Sequence, residues 1–92
     1  MIGSFADNEA EKIFKRQPSC RYGLLQKAIL RKLLLLHGAR LLADLINPPG
    51  NRLEALRGDR KGQHSVRIND QYRICFVWRE PYADDIEITD YH

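Results

Sequence analysis

The stretch from His64 to Phe76, HSVRINDQYRICF, has the least freedom in how it folds. Two runs of alternating apolar and polar residues flank a polar turn, the pattern of a β-hairpin. Val66 and Ile68 share one face of the first run, and Tyr72, Ile74, Phe76 and Trp78 share one face of the second. Both sets have to reach one core, which restricts the pairing register. A two-residue turn at Asn69-Asp70 sets Ile68 against Gln71 and Arg67 against Tyr72, mixing the faces. A three-residue loop, Asn69-Asp70-Gln71, sets Ile68 against Tyr72 and Val66 against Ile74 instead. It also sets Arg67 against Arg73 on the polar face. Like charges directly opposite one another destabilise an antiparallel pair. The arrangement calls either for a counter-anion, such as a carboxylate or a phosphate, or for two hydrated side chains that splay apart.

Ninety-two residues allow one small domain, residues 1–92, with a single core and little spare stability. A formal charge of +3 permits an acidic partner such as nucleic acid without demanding one. The cysteines, Cys20 and Cys75, lack any Cys-x-x-Cys or Cys/His spacing, so neither a disulfide framework nor a metal site is signalled. Cys75 shares the polar face with Arg73 and is expected to be partly covered. The first residues lack a secretory pattern and no apolar run is long enough to cross a membrane, so a reducing cytoplasm is the expected setting.

Met1–Phe5 reads as a short first strand bent at Gly3. Asp7 can cap a brief helix carrying Ala10, Ile13 and Phe14, with Pro18-Ser19 ending it. From Tyr22 to His37 a longer helix places Leu25, Ile29, Leu33 and Leu36 on one stripe, Lys27, Arg31 and Lys32 away from it, and Gly38 at its stop. Ala39–Ile46 predicts another short helix before Asn47-Pro48-Pro49-Gly50 breaks the chain. Leu53–Arg57 is a candidate strand. Gly58–Gly62 is a glycine-bracketed basic loop without the glycine spacing or following helix of a phosphate-binding loop. Beyond a turn at Pro81–Asp84, a last strand over Asp85–His92 turns Ile86 and Ile88 to the core and Glu87, Thr89 and Tyr91 to the polar side.

The polar face thereby collects Arg67 and Arg73 as fixed cations, Arg57 close by, and Asp90, Tyr91 and His92 as groups able to orient or exchange protons. Arginine keeps its proton in proteins, and its planar donors suit a phosphate or the charge that grows on one. Histidine titrates nearest neutrality. The set fits metal-independent RNA cleavage, in which the neighbouring 2′-hydroxyl attacks phosphorus, with His92 as first choice for proton transfer. Strict alternation puts Tyr91 on the arginine side, so His92 reaches it by leaving the strand. His64, opposite Phe76, is expected on the core side, and His37 beside the helix stop as a cap.

The residues Asn47-Pro48-Pro49-Gly50-Asn51-Arg52-Leu53-Glu54-Ala55-Leu56, then Gly58, Arg60, Gly62–Ser65, Arg67, Asn69, Arg73 and the final Asp90-Tyr91-His92 carry a family likeness. The chain resembles the HigB-type toxins of the RelE/ParE superfamily, particularly the GraT-like branch. The resemblance implies an α+β fold with two N-terminal helices packed on a curved, mainly antiparallel sheet. It implies a type II toxin that cuts translated mRNA on the ribosome, without cofactor or metal. Its partner would be a HigA-type helix-turn-helix antitoxin, through which it would meet operator DNA. Family positions carry over to Arg67, Arg73, Asp90, Tyr91 and His92 as catalytic residues and to Arg57 as a basic contact. Arg60 and Lys61 of the glycine loop join Arg57 as expected RNA contacts. Some relatives have lysine at the place of Arg57 and histidine at the place of Glu54, so the proton-transfer groups of those relatives are missing here. Superfamily members that bind DNA gyrase, or others that bind a ribosome assembly factor, supply the rival reading, a toxin of this fold that cuts no RNA.

Overall fold

The computed structural model describes residues 1–90. Helix α1 (Asn8–Phe14) starts at the cap the sequence predicts, with the Asp7 carboxylate accepting from the N–H groups of Glu9 and Ala10. Ala10 and Ile13, three apart, are fully buried. The helix closes through Lys15, and Arg16 takes a left-handed conformation, two residues ahead of Pro18.

Helix α2 (Gln26–Gly38) buries Ile29, Leu33 and Leu36 of the predicted stripe, while Leu25, its first member, falls before the helix and is only partly buried, and Leu34 and Leu35 stay exposed. It begins later than the predicted Tyr22. Gly23 sits at φ 41°, outside the helical region, so Gly23–Leu25 forms a 3₁₀ turn instead. The Gln26 side chain then ties the preceding loop down, donating to the Gln17 carbonyl and accepting from the Ser19 N–H. The helix predicted over Ala39–Ile46 is a 3₁₀ turn, Leu42–Ile46, opened by the Asp44 carboxylate, which accepts from the N–H groups of Arg40 and Leu41. These two bonds, Leu41 first, hold the Asp44 carboxyl below its ordinary value.

Four antiparallel strands follow in the order β1-β2-β3-β4, giving an α+β fold: β1 (Glu54–Ala55), β2 (Gln63–Arg67), β3 (Tyr72–Arg79) and β4 (Tyr82–Asp90). The β2–β3 hairpin has the register the apolar pattern demanded, with Val66 opposite Ile74 and Arg67 opposite Arg73. Its loop is held by Asn69, whose side-chain oxygen accepts from the N–H groups of Gln71 and Tyr72. The strand expected over Leu53–Arg57 shrinks to two residues, since leucines three apart cannot both serve one face of a strand.

The last strand begins earlier than expected, at Tyr82 rather than Asp85, because one extra residue is absorbed as a bulge. Cys75 pairs with Glu87 and Val77 with Asp84, and Asp85 between them takes φ 54°. Ala83 and Ile86, three apart, therefore both face the core and are fully buried.

The N-terminal segment follows the same spacing. Instead of the expected strand it makes isolated parallel bridges, Ile2 to Ala83 and Phe5 to Ile86. A Cβ on Gly3 would lie 2.0 Å from Asp84 Oδ1, so a larger residue there would push that carboxylate aside. The segment covers one half of the β4 edge. Farther along, Asp7 Oδ2 accepts the Ile88 N–H at 3.1 Å, so one carboxylate caps α1 and blunts a sheet edge.

The core lies between the helices and one sheet face, where Ala10, Ile13, Ile29, Leu33 and Leu36 meet Val66, Ile74, Phe76, Ile86 and Ile88. His64 lies on this side, as expected, its ring stacked on Phe76 with centroids 6.2 Å apart. His37 caps nothing on its own helix. Its Nδ1 accepts from the Ile2 N–H, and its ring packs edge-on against Phe14.

Candidate functional site

The sheet face turned away from the helices carries two rows of cross-strand neighbours. One runs Glu54, Ser65, Cys75, Glu87, and the next runs Arg67, Arg73, Thr89. Alternation predicted a solvated polar face. Instead Ser65, Arg73 and Cys75 are buried. The β1–β2 connection reaches across the face: Arg60 Nη1 donates to Gln63 Oε1 on β2 at 3.1 Å and to Glu87 Oε1 on β4 at 2.9 Å. A guanidinium that joins β2 to β4 has to pass over β3, on the side of Cys75, the residue paired with Glu87.

The two arginines forced opposite one another by the hairpin turn to different partners. Arg73 folds down: Nε donates to Ser65 Oγ at 2.7 Å, and Nη2 to the Arg52 carbonyl at 2.5 Å and the Ser65 carbonyl at 3.4 Å. Glu54 Oε1 lies 4.0 Å from the same Nη2. Arg67 swings the other way and pairs with Asp70, whose side chain is 98% exposed. The like-charge conflict is thus resolved by splaying, with a carbonyl and a hydroxyl holding one guanidinium and a solvated carboxylate the other.

Of the remaining sequence-predicted residues, the basic ones lie on the β1–β2 connection, whereas Asp90, expected beside the arginines, is set by its pairing with Tyr72 on the other face of the sheet. Arg57 and Lys61 are exposed on the β1–β2 connection, while Arg60 is committed to Glu87. Asp90, at the end of β4, is paired across the sheet with Tyr72, and its Oδ2 accepts from Gln71 Nε2 at 3.1 Å. Tyr91 and His92 lie outside the described residues.

Sequence reasoning missed three groups here. Lys32 reaches from α2 to Asn51 Oδ1 at 2.6 Å. Burial, and then the charges of Arg31 and Arg67, hold its amine below the ordinary value. Asn51, fully buried, also donates to the carbonyls of Leu45 and Asn47. Its place after Pro48-Pro49-Gly50 was the available signal. Thr89, in the row of the two arginines, has a buried hydroxyl with no hydrogen-bond partner among the described residues. Among those residues no three His, Cys, Asp or Glu side chains gather as a metal-holding group.

The geometry, a cation row on a half-covered antiparallel sheet reached by a basic loop, can hold an anion on its open side. A family profile described as "RelE-like toxin of type II toxin-antitoxin system HigB" matches residues 3–92. The chain belongs to this HigB-like family. It is 48% identical over 59 residues to Toxin HigB-1 of Vibrio cholerae serotype O1, a match covering 64% of this chain and 62% of that toxin. It is 36% identical over 62 residues to an uncharacterised protein of Haemophilus influenzae, covering 67% of this chain and 61% of that protein. The matched stretches thus span less than two thirds of the length of either relative. In this HigB-like chain no helix of the described residues is long and apolar enough to cross a membrane.

Proposed function

We propose that this HigB-like toxin is a ribosome-dependent mRNA endonuclease of the cytoplasm, neutralised by a HigA-type helix-turn-helix antitoxin that links it to operator DNA. The observation that carries the reading is Arg67, a cation on the open sheet face whose Asp70 partner is almost fully solvated. A phosphate can replace that carboxylate at little cost, because exposed ion pairs contribute only about 0–1 kcal/mol. The guanidinium fork then stabilises the charge that builds on phosphorus as the 2′-oxygen attacks. Arg73 contributes from below, fixing the strand that aims Arg67, and Arg57 and Lys61 hold the flanking RNA backbone. In this reading the terminal Asp90-Tyr91-His92 run supplies proton transfer, with His92 foremost.

The rival is a toxin of the same fold that binds DNA gyrase or a ribosome assembly factor without cutting RNA. The observation in its favour is the commitment of Arg60 and Arg73 to partners within the chain. Primer extension on mRNA after brief expression separates the two. Discrete 5′ ends within coding frames, lost in Arg67→Ala and on deletion of His92, are expected of the nuclease. Growth arrest that survives both changes, with intact mRNA, refutes it.

A further inference from the structure

We propose that Lys32 and Arg52 hold a second phosphate of the RNA, next to the one assigned to Arg67, where the strand leaves the sheet face over the edge of β2 toward α2. The inference rests on the reading above for RNA as the ligand. The turn 47–52 packs against β2 and joins the two sides of the sheet at this edge. On the helix side, Lys32 Nζ donates to Asn51 Oδ1 at 2.6 Å. On the site side, the carbonyl of the next residue, Arg52, accepts from Arg73 Nη2 at 2.5 Å. Strand β1 has only two residues, and carrying its Glu54–Ser65 pairing two positions further brings Arg52 to the level of Arg67. Arg52 is exposed and takes the left-handed conformation at φ 44°, which is uncommon for a residue other than glycine. Bonds on both sides hold it there: Asn51 donates to the carbonyls of Leu45 and Asn47, and Arg73 to that of Arg52.

The charges at this edge do not balance. An ammonium has three donors, and Lys32 places one of them on a neutral amide oxygen. The charges that act on its amine, Arg31 and Arg67, are both cationic. Glu54 and Asp70, the carboxylates described beside them, already face Arg73 and Arg67. Among the described residues, no carboxylate pairs with Lys32 or Arg52. Drawing a cation part-way out of water beside other cations is unfavourable, and an anion removes the conflict. A phosphate can accept from the remaining donors of Lys32 and from the guanidinium fork of Arg52 together. A nucleic-acid strand carries one such charge on each nucleotide, so it can give one phosphate to Arg67 and the next to this pair.

The test is binding of a short fluorescent 2′-O-methyl RNA, which has no free 2′-hydroxyl and stays uncut, to the whole chain from about 50 mM to about 200 mM salt. Lys32→Gln keeps an N–H for Asn51 and removes the charge. It is expected to make the plot of log affinity against log salt shallower by about 0.7, and to weaken binding about 5-fold at about 0.1 M salt, with the melting temperature unchanged. Arg52→Gln, at an exposed side chain, is expected to do the same, and Lys32→Arg to keep the wild-type slope. A wild-type slope in Lys32→Gln or in Arg52→Gln overturns the inference, as does a wild type that leaves the RNA unbound at the low-salt end. Polyglutamate in place of RNA is the control: a Lys32-dependent slope with it and none with RNA would give the patch to an acidic protein surface instead. Primer extension on mRNA with the same variants keeps the two readings apart. Discrete 5′ ends with an unchanged RNA slope overturn the second phosphate site and leave the nuclease standing. A shallower slope in both glutamine variants with uncut wild-type mRNA supports the site and refutes the nuclease.

Discussion

Arg73→Ala is expected to damage the fold far more than Arg67→Ala, although the two residues face each other in the same strand pair. Arg73 makes two strong hydrogen bonds, to Ser65 Oγ at 2.7 Å and to the Arg52 carbonyl at 2.5 Å. Hydrogen bonds to a charged group contribute about 1.5–3 kcal/mol each. The 3.4 Å contact to the Ser65 carbonyl is at the limit of a hydrogen bond and adds little. Truncation also strands the Ser65 hydroxyl, which is fully buried, so the loss is not refunded by water. The expected cost is about 3–5 kcal/mol, from a chain whose total stability by size is about 5–14 kcal/mol. At about 4–8 °C per kcal/mol that lowers the melting temperature by 12 °C or more on the same rough scale. Arg67 pairs with the solvated Asp70, and its loss should cost about 0–1 kcal/mol. Thermal and urea unfolding followed by circular dichroism measure both. Arg73→Ala melting within about 5 °C of wild type would refute the reasoning, because it would mean that the buried guanidinium does not hold Arg52 to the sheet. A loss of toxicity in Arg73→Ala therefore says little about chemistry, whereas one in the still-folded Arg67→Ala says much.

Two further outcomes follow from single side chains. Asp7→Ala removes the α1 cap and the acceptor of the Ile88 N–H together, and should cost about 2–4 kcal/mol. Asp7→Asn, which keeps one oxygen, should fall between, and a mild Asp7→Ala in urea unfolding would show that the β4 edge is held by other means. Tyr22 is buried, and that burial, the largest effect, raises its phenol above the ordinary value, opposed by the charge of Arg21. The folded state then keeps a proton that the unfolded chain loses near pH 10.0, so this stabilisation is complete below that pH and lost above it. Lys32, with its lowered value, works in the opposite sense over the alkaline range. Tyr22→Phe keeps the ring against Tyr72 and should flatten the alkaline decline of the urea midpoint. Parallel pH curves for the two proteins would rule this out.

How much of this was legible in the sequence depended on whether two-fold or 3.6-fold alternation held without interruption. The hairpin register followed from Val66, Ile68, Ile74 and Phe76, since the three-residue loop turns them all to the core face where the two-residue turn mixes the faces. The α1 cap followed from Asp7, and the α2 stripe from Ile29, Leu33 and Leu36. The start of β4 was missed because the bulge at Asp85 shifts the period by one, and a bulge has no signature in alternation alone. The burial of Arg73 and Cys75 was missed for a different reason. It goes with contacts between distant residues, Arg73 to the Arg52 carbonyl and Arg60 to Glu87, and no local pattern encodes such contacts.

The charges of the site face are arranged as three couples, which differ in how readily each cation could exchange its partner for a phosphate. Arg60–Glu87 is half-exposed on both sides and also draws on Gln63, so opening it breaks a bridge that covers β3. Arg73 is fastened to a backbone carbonyl and to Ser65, and moving it exposes buried polar atoms. Arg67 with Asp70 can exchange its partner without uncovering anything, since that carboxylate is already in water. A charge-assisted, forked contact to phosphate outweighs an exposed pair of about 0–1 kcal/mol, while it has to compete with the other two on unfavourable terms. Two arginines thus hold the sheet, and the third keeps a partner that the phosphate of the proposed function could replace. Binding through Arg67 should accordingly weaken with salt as a contact to few phosphates does, with a shallow slope rather than the steep one of an extended basic groove.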